Sequence, residues 1–192
     1  ELAPEHISCY SLTVEKGTML YNNVSKGKVK MPDEELDYDM YKIVTSIIAN
    51  SGYKQYETSN YAKNNKKCAH NLHYWNLDPY LAFGPSAHGY DGEKRWWNHK
   101  SLDKYISDIQ NNKLPINNSE FLSTKDHYNE IIMNGLRTSI GINIKKLISL
   151  NNKANFDDII NKWPQLIIQD DYLKLKNNDF MLLDEITSDL FL

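Results

Sequence analysis

Leu36, Met40, Ile43, Val44, Ile47 and Ile48 recur at the three-and-four spacing of an amphipathic helix. Pro32 and the acids Asp33, Glu34 and Glu35 suit the first turn of that helix, and Gly52 supplies its stop. On either side the period changes. His6-Ile7-Ser8-Cys9-Tyr10-Ser11-Leu12-Thr13-Val14 has β-branched and aromatic residues and no breaker, which predicts a strand with His6, Ser8 and Tyr10 on one face. That polar face reads either as the lining of a cavity or as the wet side of an edge strand. Glu15-Lys16-Gly17-Thr18 then turns the chain, and residues 53–59 predict a second strand. Strand, helix, strand in this order implies a βα repeat with parallel strands. Ligands of such sheets gather at the carboxyl ends of the strands, here residues 13–15 and 57–60.

Further along, residues 63–67 form a basic, Asn-rich surface turn, and the small apolar residues 81–87 predict a last strand of the sheet. Asp91-Gly92 marks a turn, Arg95-Trp96-Trp97-Asn98 restarts an ordered segment, and Ser101 opens a short helix carrying Tyr105 and Ile109. After Asn111 the composition shifts to Asn, Lys and Ile. Ser123-Thr124-Lys125-Asp126 opens a helix with Tyr128, Ile131, Ile132 and Leu136, and further helical pieces follow at residues 144–150 and 156–163. Residues 172–176 and 180–183 flank Asn177-Asn178 and predict a β-hairpin, with residues 184–192 as a closing helix. Helices followed by a hairpin suggest a small winged-helix-like α+β module.

The 192 residues suffice for one good core or two small ones, and 41% apolar content with a net charge of −3 is ordinary for a globular protein. No apolar run approaches the ~20 residues needed to cross a membrane. Cys9 and Cys68 are the only cysteines, which fits a reducing cytoplasm and excludes an iron–sulfur or zinc site built from cysteine alone. The negative charge argues against nucleic acid as the main partner. Glu1-Leu2-Ala3-Pro4, with no initiator Met, is read as the continuation of a longer chain.

The densest chemistry lies in His70-Asn71-Leu72-His73-Tyr74-Trp75 and in Gly84-Pro85-Ser86-Ala87-His88, which hold half of the six histidines. Imidazole beside large aromatics suits a flat, metal-bearing or redox-active ligand. The competing reading has Tyr74 and Trp75 filling a core while the histidines tie down a loop.

Several ordered motifs are similar to those of the oxygen-independent coproporphyrinogen III oxidase family of radical S-adenosylmethionine proteins, in its haem-chaperone (HemW-like) branch. They are the segment from His6 to Thr13 with Glu15, Gly17 and Thr18; Tyr56-Glu57-Thr58-Ser59-Asn60-Tyr61-Ala62; the HNxxYW signature after Cys68-Ala69; Tyr80-Leu81-Ala82-Phe83-Gly84-Pro85-Ser86-Ala87-His88; and Gly135-Leu136-Arg137 with Gly141-Ile142. Ser86 stands where many relatives carry glycine.

The resemblance implies an α/β fold: the later βα units of an incomplete radical-SAM TIM-type barrel over residues 1–98, and the C-terminal helical, winged-helix-like domain over 99–192. It implies haem binding by His70, with Asn71 or a nearby carbonyl holding the other ring nitrogen and with Tyr74 and Trp75 flanking the macrocycle. Tyr10, Glu15, Glu57, Gly84, Ser86, Ala87 and His88 become candidates for contact with S-adenosylmethionine or substrate. His73, at a variable position, is read as surface, and Cys68 as an idle thiol. Full-length members hold a [4Fe–4S] cluster on a three-cysteine motif absent from this sequence, so the piece alone is expected to lack the radical step. The expected function is haem binding and delivery to a respiratory acceptor. The alternative is a parent oxidase converting coproporphyrinogen propionates to vinyls, and a nucleic-acid-binding module ranks third. An incomplete barrel exposes a sheet edge, through which a second copy is expected to pair.

Overall fold

Asp33 opens the longest helix as the pattern predicts, its carboxylate accepting from the Leu36 N–H at 3.0 Å. The computed structural model describes residues 2–152 and 154–192, and the contacts divide the chain into two units, one ending at Lys67 and the other Cys68–Leu192. The expected boundary between residues 98 and 99 falls inside the second unit, where strand pairing crosses it.

In the first unit β1 (His6–Ser8) and α1 (Met19–Ser25) are followed by α2 (Glu34–Asn50), β2 (Lys54–Gln55) and β3 (Asn60–Ala62). Gly52, at φ +85°, ends the α2 segment by donating to the Ala49 carbonyl. The nine-residue strand expected from His6 is only three residues long. The segment 53–59 is likewise no continuous strand: it breaks after Gln55 into a turn that leads to β3. The sheet is antiparallel, in the order β1-β3-β2, which corrects the expected parallel pair. β1 and β2 do run in the same direction, as a helical crossover demands, but β3 lies between them and hydrogen-bonds to both. The core here is small: Ile48, Tyr53 and Tyr61, with Ile7, Cys9 and Val44 packed against it. The rest of the α2 apolar pattern faces outward, with Leu36, Met40, Ile43 and Ile47 between 48% and 60% exposed.

The second unit begins with α3 (Ala69–Trp75) and continues through β4 (His88–Tyr90), β5 (Lys94–Asn98), α4 (Leu102–Gln110) and β6 (Ile116–Phe121). These strands form an antiparallel sheet in sequence order, with Asp91-Gly92 turning β4 into β5 as predicted. Residues 81–87 are not the expected strand. They form an irregular loop with Gly84 and Ser86 at positive φ. Then come α5 (Thr124–Gly135), β7 (Ile142–Asn143), α6 (Ile144–Leu150), α7 (Phe156–Lys162), β8 (Leu166–Gln169), β9 (Tyr172–Leu175) and α8 (Leu183–Leu190). α5 starts on a complete capping box, Ser123 and Asp126 each bonding the other's backbone N–H.

The second small sheet has the order β7-β9-β8, again antiparallel. Its hairpin sits one strand earlier than expected. Asp170 and Asp171, at φ 54° and 64°, turn β8 into β9, and residues 180–183 are not a strand. Aspartate tolerates the left-handed conformation that such a turn needs. The sheet and α5, α6 and α8 enclose the main core, where Ile132, Leu136, Leu166, Leu173 and Ile186 are completely buried. Gly141, at φ +88°, passes so close to the Leu173 carbonyl that an added Cβ would lie 2.5 Å from it. The molecule is therefore a mixed α/β chain with small antiparallel sheets. Among the described residues, no helix is long and apolar enough to cross a membrane.

Candidate functional site

The HNLHYW block is helical, and nothing in its own sequence would keep it so. α3 has seven residues and no side-chain cap on its first turn, too short to persist alone. Its far end is fixed instead. Asn76 and Leu77 donate to the carbonyls of Leu72 and Tyr74, Leu77 adopts φ 58°, and its side chain packs against the main core.

The two histidines of α3 differ in their surroundings. His73 is tied down: Nε2 lies 2.8 Å from the Pro79 carbonyl and Nδ1 3.3 Å from the Asp78 carboxylate. This is more than the bare surface position expected for it. The exposed His70 ring has no hydrogen-bond partner among the described residues, and its one ring contact is with Tyr74, edge-on at 4.8 Å. Neither Asn71 nor a carbonyl holds its second nitrogen, contrary to expectation. Tyr74 and the half-buried Trp75 line a hollow of about 190 Å³ with Tyr80, Tyr90, Arg95 and Glu130. That is below the ~300 Å³ at which pockets for drug-sized ligands begin, so a macrocycle ligated by His70 would lie on the open surface.

Beneath these rings the Arg95 guanidinium chelates Glu130 at 2.8 and 2.9 Å. Burial is the largest influence on Arg95 and works against its charge, but the hydrogen bond and charge of Glu130, together with Tyr80, outweigh it and the pKa is raised. Burial, followed by the Glu130 charge, also raises Tyr90 above the ordinary tyrosine value, so this phenol is neutral at physiological pH.

The Gly84–His88 stretch lies elsewhere on the second unit. Tyr105 Oη accepts from Gly84 N at 3.0 Å, the His99 carbonyl accepts from Ser86 N, and the buried Asn98 amide donates to the carbonyls of Ala82 and Gly84. Two backbone N–H groups that the resemblance would offer a ligand are thus already engaged. Ala87 bonds Asn98 through its carbonyl, and His88 stacks on Trp97 at 5.8 Å. Asn98 was not singled out from sequence, although a buried polar residue at a strand end is the kind that anchors a loop.

In the first unit Tyr10, 69% exposed, borders a cavity of about 540 Å³ with Cys9, Met31, Asp37, Met40 and Tyr61. Glu15 is exposed and takes part through its carbonyl, which accepts from Thr18. Glu57 is 1% exposed: Oε2 accepts from the Thr58 hydroxyl and Ser59 N, while Oε1 is buried with no hydrogen-bond partner. Cys9 and Cys68, neither in a disulfide, are too few for a three-thiolate cluster, and no trio of His, Cys, Asp or Glu is placed for a metal among the described residues. The residues present therefore do not fit an iron–sulfur cluster. His70 presents an exposed imidazole beside the exposed ring of Tyr74.

In fold, the chain resembles a radical SAM enzyme: a solved structure described as coproporphyrinogen III oxidase (HemN) from Escherichia coli matches 98% of this chain and 48% of that one, with a TM-score of 0.68 and 13% identity. No family model matches the sequence. Among curated proteins the chain is 38% identical over 145 residues to the heme chaperone HemW of Bacillus subtilis (strain 168), covering 76% of this chain and 38% of the relative. It is 33% identical to a Mycobacterium tuberculosis protein of the same name over 74% of this chain and 37% of that protein. It is 31% identical to the radical S-adenosyl methionine domain-containing protein 1, mitochondrial, of Danio rerio, over 94% of this chain and 41% of that protein. The chain is thus a homologue of the heme chaperone HemW proteins and spans about two-fifths of their length.

Proposed function

We propose that this chain is the C-terminal, haem-handling portion of a radical-SAM haem-chaperone-like protein. One contrast carries the reading: of two histidines on one short helix, His73 is occupied by protein and His70 is left open beside Tyr74. A free imidazole nitrogen of His70 would hold bound haem through its iron, while Tyr74 and Trp75 would give apolar surface to the ring. Asn71 lies half-buried on the same helix. Tyr10, Glu15 and Glu57 in the first unit and, separately, the Gly84–His88 loop in the second are the proposed contacts for the adenosyl cofactor or substrate in the longer protein. The cluster itself would come from residues outside this chain.

Two architectural readings go with it. The first-unit sheet corresponds to late units of an incomplete barrel. The order α5, β7, α6, α7, β8, β9 with sheet order β7-β9-β8 supports a winged-helix-like module, and we retain residues 1–98 and 99–192 as the functional division. Its wing carries Asp170 and Asp171, which disfavours nucleic acid, and the proposed setting is the cytoplasm. A haem-accepting respiratory protein and pairing of two copies through a sheet edge complete the proposal.

Haemin titrated into the 192-residue chain should give a shifted Soret band that His70→Ala abolishes and His73→Ala preserves. Identical spectra in wild type and His70→Ala would refute the ligand assignment.

A further inference from the structure

We propose that Tyr80 is a positioning residue for His70, acting through the ring of Tyr74. The inference rests on the haem reading only for its use, not for its geometry. The rings of His70, Tyr74, Tyr80 and Tyr90 form a ladder: His70 meets Tyr74 edge-on at 4.8 Å, Tyr74 meets Tyr80 at 4.6 Å and 67°, and Tyr80 meets Tyr90 at 6.1 Å. Such edge-to-face contacts are the favoured arrangement of aromatic pairs.

The ladder is firm at one end and free at the other. Tyr90 is 3% exposed, its hydroxyl donates to the Gly92 carbonyl, and the Arg95 guanidinium lies 5.8 Å from its ring centroid. Tyr80 is locked to it by a reciprocal pair of backbone bonds, each 2.8 Å, in an isolated antiparallel bridge. Between α3 and Tyr80 the chain doubles back through Leu77, Asp78 and Pro79, and the Asp78 N–H donates to the His73 carbonyl. That return brings the Tyr80 ring against Tyr74, one helical turn beyond His70. The His70 ring makes its ring contact, among the described residues, with Tyr74, so its direction is set by the ring behind it. The ring contacts of Tyr80 are with Tyr74 and Tyr90, so it sets the His70 geometry from one residue away.

The test uses the full chain with Tyr80→Ala, Tyr80→Leu and Tyr80→Phe. The His70 ring protons, assigned by NMR with His70→Ala, should carry a ring-current displacement from Tyr74. Tyr80→Phe should preserve it, whereas Tyr80→Leu, which keeps bulk but removes the ring, and Tyr80→Ala should move it toward the value of a free imidazole. Haemin affinity should fall about three- to tenfold in the Leu and Ala variants and stay unchanged in Phe. An unmoved His70 signal in Tyr80→Leu with a native fold overturns the inference, whatever haemin does. A displaced signal with no Soret band in the wild type would instead overturn the haem reading and leave the positioning role standing.

Discussion

At the residue scale, Glu57 is the sharpest case of a side chain whose place could not be read in advance. Its position at the carboxyl end of a predicted strand suggested a carboxylate facing a cavity. It lies buried and spends one oxygen on the Thr58–Ser59 turn. A buried charge with an unpaired oxygen is costly, whereas an amide of the same shape is far less so. Glu57→Gln should therefore match or exceed the wild type in stability, while Glu57→Ala, losing the turn bonds, should cost about 1–3 kcal/mol in denaturant midpoint measurements. The reverse order would show that the charge itself is needed in the fold. The histidines teach a similar lesson. Their clustering was visible in the sequence, but which of them is free depends on Pro79 and Asp78 folding back, a tertiary event with no local signature.

At the element scale, helices were legible because capping residues and periodicity act locally. Asp33, Ser101 and Ser123 all cap the helices that they announced. Strands were less so: residues 81–87 have strand-like composition, yet Asn98 and Tyr105 capture their backbone in a loop. The α2 pattern was right about period and incomplete about partner. Ile48 is buried and Ile43 and Ile47 are not, so Ile48→Ala should cost about 2–4 kcal/mol and Ile43→Ser under about 0.5 kcal/mol. Equal losses in thermal denaturation would mean that the outer stripe is covered. Asp126 gives a pH test. The Ser123 hydroxyl, then its backbone N–H, lower the Asp126 pKa. A depressed acid contributes stability above its unfolded value of about 3.9 and loses it as pH falls through the lower folded value. Asp126→Asn should flatten the acid-side decline in stability; an unchanged acid limb would remove the box from the account.

At the scale of the whole molecule, the two units differ in what holds them. Among the described residues, the second has a continuous core cluster of twelve buried residues, and the first a cluster of three. Amide exchange should accordingly be slowest in α5 and β9 and markedly faster in β1 and α2, and uniform protection across both would contradict this division. The change of composition after Asn111 hinted at two parts, but it does not coincide with the break between Lys67 and Cys68. Contacts draw that line, and composition follows history as much as contact.

The central position of β3 has a consequence for how the first unit comes into being. Ile7 has no neighbour in its sheet until Tyr61 is available, and Lys54 cannot pair until Ala62 arrives. Whatever α2 does early, the sheet closes only when the chain past residue 59 slides between two waiting edges. β2 and β3 pair across a short local turn, but β1 gains its ladder energy only once the long loop between Ser8 and Asn60 has closed. Assembly of this unit should thus be late and concerted, with residues 60–62 acting as its keystone during synthesis.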